Sequence, residues 1–231
     1  MPHHRTRHIE GLLKNALGLS PLVGLLGHRQ VGKTTLLEKF ATGYSSLDDE
    51  SEAVPENRGT MQQYLAQRKG RPYALDEAQL EPRLFPALKE WVRKHKTPGQ
   101  YLLSGSVRFT SRKAIQESLT GRILSLELFP MVLSELNNSP LPMALTRILT
   151  EPLTREPTYS PMSSSALALK ANQIKQYMST GGLPGVCFIR DQRLRTLKLD
   201  EQLRTILDRD LRLLLKTSLS LNELRGILGA L

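Results

Sequence analysis

A glycine-rich segment near the amino terminus carries the strongest chemical signal in the sequence. It reads GHRQVGKTT and matches the pattern G-x-x-x-x-G-K-[ST] at every fixed position. Glycines let the backbone curl so that successive N–H groups point at phosphate oxygens, and a helix that begins there adds its positive end. The candidate phosphate-binding residues are Gly27, His28, Arg29, Gln30, Val31, Gly32, Lys33, Thr34 and Thr35.

Individual side chains of this segment have distinct expected roles. Lys33 is placed to reach the β- and γ-phosphates of a nucleotide, and Thr34 offers its hydroxyl to Mg²⁺, which prefers oxygen ligands. Thr35 is expected near the α-phosphate. His28 and Arg29 occupy variable positions of the pattern, where either faces solvent or a partner. The segment therefore predicts a site for a nucleotide with Mg²⁺.

Two adjacent acids, Asp76 and Glu77, follow a short strand predicted at residues 72–75. Such a pair divides the work of phosphoryl transfer, because Asp76 holds the Mg²⁺ shell while Glu77 orients and polarises the attacking water. Asp48 and Asp49 form a rival pair after another predicted strand. We favour Asp76 because Asp next to Glu offers a metal ligand and a base together.

Two further elements complete the candidate site. A predicted strand at residues 101–103 leads to Ser104 and Ser106, and either hydroxyl is a candidate sensor of the γ-phosphate or of the lytic water. Arg122 is a candidate cation for the charge of the transition state, supplied within the chain or across a subunit interface. For each of these three residues, a structural role in a turn or a salt bridge is the alternative.

The elements that must position these residues alternate between strand and helix. Strands are predicted at 21–27, 43–47, 72–75 and 101–103, and helices from about residue 32, around 61–68 and at 85–96. This alternation predicts an α/β fold with a mostly parallel sheet flanked by helices. Ligands of such sheets bind at the carboxyl ends of the strands, where the glycine-rich segment, Asp76 and Ser104 would meet.

The composition changes after Glu135, and we predict three regions. Residues 1–136 form a nucleotide-binding domain, 137–165 form a Pro- and Ser-rich linker with one helix at 143–149, and 166–231 form a helical region. Basic and acidic residues alternate at helical spacing in that last region, which favours a solvated face, with a DNA or protein partner as the alternative. Its basic residues are Arg190, Arg193, Arg195, Lys198, Arg204, Arg209 and Arg212.

Composition and charge exclude several classes of protein. The 231 residues include 32 Lys and Arg against 22 Asp and Glu, which gives a net charge of +10 and a pI near 9.9. A positive field of this kind attracts polyanions. The single cysteine, Cys187, cannot form an intramolecular disulfide, and no signal peptide or run of about 18 apolar residues occurs. We therefore expect a cytoplasmic protein with no membrane span.

Together these motifs resemble those of bacterial and archaeal AAA-type ATPases that usually carry a C-terminal domain called DUF4143. The resemblance spans residues 1–212 and rests on GHRQVGKTTLL, LDEAQL, LFPALKEW, LSGS, ESLTGR and GGLPGV followed by LDRDL. It implies a P-loop fold of the additional-strand class, ATP with Mg²⁺ as cofactors, and Lys33, Thr34, Asp76 and Glu77 in the roles above. Members usually continue through a further domain, so the resemblance also implies a C-terminally shortened chain.

The favoured function is Mg²⁺-dependent ATP hydrolysis coupled to the helical region and to an unknown partner or nucleic acid, with homo-oligomerisation left open. A small-molecule or nucleoside kinase shares the phosphate loop, but the sequence after Ser106 shows no arginine-bearing lid. A third alternative is an ATP-dependent interaction module that does not hydrolyse, with DNA among its partners. The sequence has no guanine-reading N/T-K-x-D segment and no second motor motif, which argues against a GTPase and a helicase.

Overall fold

A computed structural model describes most of the chain. The described residues are 5–49, 51, 54, 58–105, 119–140, 163–207, 219–220, 222–224 and 226. Ser106, Arg209, Arg212 and the helix predicted at 143–149 lie outside them. The predicted division into three regions stays a prediction.

Within the described residues, five strands form one parallel sheet. In chain order they are β1 Leu22–Gly27, β2 Gly43–Ser46, β3 Tyr73–Asp76, β4 Tyr101–Gly105 and β5 Ile123–Leu128. The order across the sheet is β2-β3-β4-β1-β5, so β4 is inserted between β1 and β3. This is the additional-strand arrangement, and the predicted α/β fold with a parallel sheet is confirmed.

Helices connect the strands and pack on both faces of the sheet. Those before residue 140 are α1 Ile9–Leu19, α2 Lys33–Phe40, α3 Arg58–Gln67, α4 Leu84–Lys94 and α5 Leu133–Leu136, with a 3₁₀ turn at Ala78–Leu80. Later in the chain come α6 Ser164–Thr180, α7 Pro184–Cys187 and α8 Gln192–Thr205. Of the helices in the described ranges, none has the length and apolar composition needed to cross a lipid bilayer.

Two hydrophobic clusters hold the layers together, one on each face of the sheet. Alternate residues of a strand point to opposite faces, so Leu22 and Leu26 of β1 pack in one cluster with residues of α3 and α4. Val23 and Leu25 pack in the other, with residues of α1 and α2. Strand β1 is buried along its whole length. The loop that follows it therefore starts from an interior strand of the sheet and not from a marginal one.

The sequence pattern predicts neither α1 nor β5. For the other strands and α-helices of residues 21–96, each predicted bound lies within three residues of the observed one. Strand β5 lies at the margin of the sheet, and its exposed Ser125 and Glu127 alternate with apolar residues, a spacing typical of a half-buried strand that the prediction misses. Helix α1 contains Gly11 and Gly18, which weaken its helical signal. Helix α1 therefore depends on tertiary packing more than on local preference.

The helical region that follows residue 163 contacts the sheet through the segment after β5. The Met131 N–H donates to the Gly182 carbonyl at 2.7 Å, and the Tyr177 hydroxyl donates to the Met131 carbonyl at 3.0 Å. A side chain at position 182 would collide with that same carbonyl, so glycine lets the two backbones approach each other. This contact sets α6 and α7 beside the carboxyl end of β5.

Candidate active site

The loop between β1 and α2 has the curled backbone that its glycines predict. Gly32 precedes α2 with a φ of 98°, a left-handed conformation that favours glycine. A side chain on Gly27 would lie 2.5 Å from the Leu128 carbonyl. Gln30 also has a positive φ, 62°. Helix α2 follows directly, and its amino end carries partial positive charge, so the loop presents an anion-attracting concavity.

The Lys33 side chain lies folded against this loop. It is 6% exposed, and Nζ donates to the carbonyls of Gly27 at 3.1 Å and His28 at 3.0 Å. A buried ammonium group needs such partners, because an unsatisfied charge in a protein interior is costly. The positive charge of Lys33 is therefore held inside the concave backbone of the loop.

Asp76, the last residue of β3, is the centre of a polar cluster. Its side chain is buried, and Oδ2 accepts hydrogen bonds from Thr34 Oγ1 at 2.6 Å and from Tyr44 Oη at 2.9 Å. The other oxygen, Oδ1, accepts from the Glu77 N–H at 3.0 Å and from the Ser104 hydroxyl. One carboxylate therefore joins the phosphate loop, β2, β3 and β4.

Glu77 follows in an unusual backbone conformation. Its φ and ψ are 52° and 40°, a left-handed region that costs a non-glycine residue about 1 to 3 kcal/mol. The carboxylate of Glu77 accepts a hydrogen bond from the Gln79 side-chain amide. Its N–H donates to both Asp76 Oδ1 and Ser104 Oγ. These bonds hold the residue in a strained turn at the end of β3.

Ser104 is fully buried, and it bridges the two acids from β4. Its hydroxyl donates to the Asp76 carboxylate and accepts the Glu77 N–H at 3.1 Å. Sequence pattern predicts this serine beside the acids, and the structure places it there. Its sensing of a γ-phosphate stays a prediction, as does that of Ser106, which lies outside the described residues.

Arg122 lies at the opposite edge of the sheet from the phosphate loop. It directly precedes β5, which pairs in parallel with β1 so that Ile123 stands opposite Leu22. The six residues of β5, at about 3.3 Å per residue, put about 20 Å between the two edges. The Arg122 guanidinium donates to the Thr120 carbonyl at 3.3 Å. This position argues against Arg122 acting within its own chain, and its action across a subunit interface stays a prediction.

The rival acidic pair, Asp48 and Asp49, lies beyond the marginal strand β2. Both residues are exposed, and β3 and β4 separate β2 from β1. The Asp49 carboxylate accepts hydrogen bonds from the Ser51 hydroxyl at 2.7 Å and from its N–H at 2.9 Å. These local bonds lower the pKa of Asp49. The geometry therefore agrees with the preference for Asp76.

A cavity of about 560 Å³ opens where the phosphate loop meets the helical region. Its lining includes six of the predicted loop residues, but Gly27, His28 and Val31 do not contribute to it. The lining residues are Arg29, Gln30, Gly32, Lys33, Thr34, Thr35 and Glu77, with Pro184, Gly185, Lys198, Gln202, Thr205 and Ile206 from α7 and α8 or directly after α8. The participation of α7 and α8 could not be predicted, because no local pattern shows that they fold back over the loop.

Gln202 contributes a buried polar atom to this wall of the cavity. The residue is 7% exposed, and its amide oxygen Oε1 has no hydrogen-bond partner in the part of the chain that the structure describes. Lys198, one turn earlier on α8, pairs with Glu201 at 2.8 Å. A buried carbonyl oxygen without a donor is destabilising.

Arg7 supports the phosphate loop from behind, and the sequence pattern does not reveal it. The residue is 6% exposed; its guanidinium donates to the Val31 carbonyl at 2.8 Å and to the Phe129 carbonyl at 2.6 Å. Its Nε lies 3.2 Å from Glu135 Oε2. Arg7 thus ties the loop to the segment after β5. Its partners are 24 and more residues away in sequence, so no local motif signals them.

Tyr44 is a second member of the site that sequence pattern does not reveal. Its hydroxyl lies 2.9 Å from Asp76 Oδ2. Partial burial, and then the nearby Asp76 charge, raise the pKa of Tyr44 well above its usual value, so the phenol remains protonated at neutral pH. The contact depends on the register of β2 on β3, in which Ser46 pairs with Asp76, and that register is set by the whole sheet.

The sheet order, the phosphate loop and the acidic strand end define a P-loop NTPase fold of the additional-strand class. A family model described as an AAA domain matches residues 19–137, just over half of the chain. The chain therefore belongs to this AAA-domain family, and the AAA part of the predicted resemblance is confirmed. The association with DUF4143 and the shortening of the C-terminal region stay predictions.

Two curated relatives are 32% identical over 129 residues: the uncharacterised proteins Rv2008c of Mycobacterium tuberculosis (strain ATCC 25618 / H37Rv) and Mb2031c of Mycobacterium bovis (strain ATCC BAA-935 / AF2122/97). The match covers 55% of this chain and 29% of each relative, so it spans less than a third of their length. Among solved structures, the Walker-type ATPase PABY2304 of Pyrococcus abyssi is similar with a TM-score of 0.46 and 16% identity, over 96% of this chain and 76% of that one.

Proposed function

We propose that the chain binds ATP with Mg²⁺ in the cavity and hydrolyses it to ADP and phosphate. The observation that carries this proposal is the meeting of Lys33, Thr34, Asp76 and Glu77 at one edge of the sheet. Phosphoryl transfer to water needs a cation for the phosphates, oxygen ligands for a metal ion and a group that positions the water. These four side chains provide all three.

The phosphate loop is the proposed holder of the triphosphate. Its curled backbone and the positive end of α2 attract anions, and Lys33 adds a full charge. Its ammonium group now donates to two neutral carbonyls. A phosphate oxygen is a stronger acceptor than a carbonyl because the hydrogen bond is charge-assisted. Lys33 is therefore expected to exchange the carbonyls of Gly27 and His28 for the nucleotide.

Thr34 and Asp76 are the residues that fit Mg²⁺. The ion takes oxygen ligands and usually keeps several waters. Thr34 lines the cavity, and its Oγ1 lies 2.6 Å from Asp76 Oδ2, so a carboxylate oxygen adjoins the hydroxyl of a cavity residue. Bound Mg²⁺ supplies charge neutralisation on phosphate oxygens. The role of the two side chains is to hold that charge beside the end of the loop.

Glu77 is the residue we propose as the positioner of the attacking water. Glu77 lines the cavity; the Gln79 amide donates to its carboxylate, and its backbone is in a left-handed turn. Ser104 acts as a positioning residue for both acids, because its buried hydroxyl contacts the Asp76 carboxylate and the Glu77 N–H. A carboxylate held in this way accepts a proton from water as the new bond to phosphorus forms.

The helical region is proposed to respond to the nucleotide. Helix α8 presents Lys198 and Gln202 to the cavity opposite the phosphate loop, and Gln202 Oε1 is buried there without a donor among the described residues. A ligand that supplies a donor binds the closed arrangement better than an open one, and such differential affinity is what shifts a conformational equilibrium. Nucleotide binding would then favour the position that α8 has here.

The test is to compare ATP binding and phosphate release by the wild type, Glu77→Gln and the control Asp48→Asn. We expect Glu77→Gln to keep its ATP affinity within about threefold and to lose at least about 100-fold in turnover, because a positioned base contributes about 10²- to 10⁴-fold. Asp48→Asn is expected to match the wild type. Calorimetry gives the affinity, and a phosphate-release assay in excess MgCl₂ gives the turnover.

Other outcomes of this experiment distinguish the alternative functions. Wild-type binding without turnover would favour a nucleotide-dependent interaction module. Transfer of the phosphoryl group to an added small acceptor would favour a kinase. No ATP binding by the wild type would overturn the proposal.

A nucleic acid is the partner we propose, bound at the edge of the sheet where the strands begin. Lys69 precedes β3, while Arg93 and Lys96 lie at the end of α4 and just before β4, and all three are exposed. Exposed cations gathered at one edge attract a phosphate backbone. Along α8, in contrast, Asp200 and Glu201 are interleaved with the basic residues, which weakens the alternative of a basic helical surface.

A further inference from the structure

All acceptor sites of the Asp76 carboxylate are used by hydrogen bonds. A carboxylate offers about four lone-pair sites on its two oxygens. Thr34 and Tyr44 donate to Oδ2 at 2.6 and 2.9 Å, and the Glu77 N–H and the Ser104 hydroxyl donate to Oδ1. A metal ion, or a water that it carries, needs at least one of these sites. One of the four donors must therefore leave when Mg²⁺ arrives.

The four donors differ in how easily they can move. Ser104 is 0% exposed, and the Glu77 N–H is a backbone group that also contacts Ser104 Oγ at 3.1 Å. Thr34 belongs to the proposed metal ligands and lies in the first turn of α2. Tyr44 is 38% exposed and lies on β2, at the margin of the sheet. A rotation of its side chain frees Oδ2 without any movement of the backbone.

We propose that Tyr44 is a gate on the metal site, whose hydroxyl occupies Asp76 Oδ2 until Mg²⁺ and nucleotide bind and is then displaced. This inference rests on the proposed function and adds to it a competition between the Tyr44 hydroxyl and Mg²⁺ for Asp76. Because the hydroxyl and the ion compete for one carboxylate oxygen, Tyr44 lowers the apparent affinity for Mg²⁺. Removing the hydroxyl raises that affinity. If Tyr44 instead oriented Asp76 for the metal, removing the hydroxyl would weaken Mg²⁺ binding, so the two roles predict opposite signs.

The test uses Tyr44→Phe, which removes one oxygen from a partly exposed ring, with Tyr73→Phe as the matched control. Tyr73 lies on the neighbouring strand β3, and its hydroxyl contacts Ser45 Oγ at 2.9 Å and the Tyr44 carbonyl at 3.2 Å. The control therefore makes the same chemical change next to the site without touching Asp76. Thermal unfolding of both variants shows whether each retains the fold.

The measured quantity is the MgCl₂ concentration that gives half of the Mg²⁺-dependent gain in ADP affinity, obtained by calorimetry at a series of MgCl₂ concentrations. With ADP the measurement does not depend on turnover. For Tyr44→Phe we expect this concentration to fall about two- to tenfold, the range that one net hydrogen bond accounts for. Tyr73→Phe is expected to stay within about twofold of the wild type.

An unchanged or increased Mg²⁺ requirement in Tyr44→Phe would overturn the gate, and so would an equal fall in Tyr73→Phe. These results leave ADP binding by the wild type intact and so do not affect the proposed function. Failure of the wild type to bind ADP at any MgCl₂ concentration would overturn the proposed function, and the gate would fall with it.

Discussion

The two edges of the sheet differ in how they place particular lysine and aspartate side chains. At the carboxyl edge, where β1, β3 and β4 end, Lys33, Asp76 and Ser104 are buried. Lys33 donates to carbonyls of the phosphate loop, and Asp76 accepts hydrogen bonds from Thr34 and Ser104. At the amino edge, where the strands begin, Lys69 and Lys96 stand exposed in loops. A parallel sheet separates these edges, because each connecting helix returns the chain to the side where the next strand begins.

At the carboxyl edge, binding is expected to depend on side chains held in fixed positions. At the amino edge, it is expected to depend on charge alone. Buried polar groups need partners, and leaving one unsatisfied costs about 1 to 3 kcal/mol or more, so substitutions at the carboxyl edge are expected to affect stability, binding or both. Exposed charges contribute about 0 to 1 kcal/mol each. Substitutions of the exposed Lys69, Arg93 and Lys96 at the amino edge are expected to leave the fold and the nucleotide site unchanged.

The largest effect is expected from Arg7→Ala. Arg7 and Glu135 are each 6% exposed, and removing the guanidinium leaves a buried carboxylate without its cation and the Val31 carbonyl without its donor. Breaking a buried pair in this way costs about 3 to 5 kcal/mol. We expect the low end of that range, since Glu135 still accepts the His8 and Val132 N–H groups. Urea unfolding measures the loss.

The matched control for Arg7→Ala is Lys39→Ala, which breaks an ion pair with Glu10 that is shorter, 2.6 Å, but in which the lysine is 52% exposed. Lys39→Ala should lower the free energy of unfolding by at most about 1 kcal/mol. A similar loss of stability in both variants would remove the distinction between buried and exposed pairs on which the comparison of the two edges depends.

The next largest effect is expected from Lys33→Ala on nucleotide binding. The substitution removes the buried cation of the phosphate loop, whose charge-assisted bonds are worth about 1.5 to 3 kcal/mol. We expect the Kd for ATP in the presence of MgCl₂ to rise by about 100-fold at the upper end of that range. Lys69→Ala removes a lysine from the amino edge and serves as the control. If both variants bind ATP within about threefold of the wild type, the phosphate loop is not the nucleotide site.

The parts of the site that could be predicted are those whose chemistry requires a fixed local spacing. Gly27, Gly32 and Lys33 belong to one loop and the start of the helix that follows it. Asp76 and Glu77 lie at the end of one strand. In both cases the order of residues along the chain is enough to predict that they lie close together. Arg122 shows the limit of such reasoning. A guanidinium group is suited to the negative charge of the transition state. The position of β5 decides which edge of the sheet Arg122 occupies, and the order of strands across the sheet does not follow from the sequence of β5.

The missed residues are those joined through the tertiary structure. Tyr44 meets Asp76 through strand register, Arg7 meets Val31 through the packing of the amino-terminal segment, and Gln202 reaches the cavity because the helical region docks on Met131. None of these contacts produces a repeated spacing. They follow from how the layers pack, which a single sequence does not display.

The smallest effect on the folded protein is expected from the triple variant Lys69→Gln, Arg93→Gln, Lys96→Gln at the amino edge. Its stability should change by at most about 0.5 kcal/mol per substitution, and its ATP affinity should be unchanged. Its affinity for a fluorescein-labelled 20-base-pair DNA duplex should fall about tenfold or more, and each cation removed from the phosphate backbone should lower the salt dependence of binding by about one unit of slope. Fluorescence anisotropy over a range of NaCl concentrations measures both quantities.

The charge-matched control is Arg190→Gln, Arg193→Gln, Arg204→Gln, which removes three exposed cations from α8 and the segment just before it. If the amino edge binds DNA, this variant keeps the wild-type salt slope. Loss of DNA affinity in the control alone would move the nucleic-acid surface to α8. Equal competition by poly-glutamate and by unlabelled DNA would instead indicate an acidic protein as the partner, because a surface that reads charge alone does not require the spacing of a phosphate backbone.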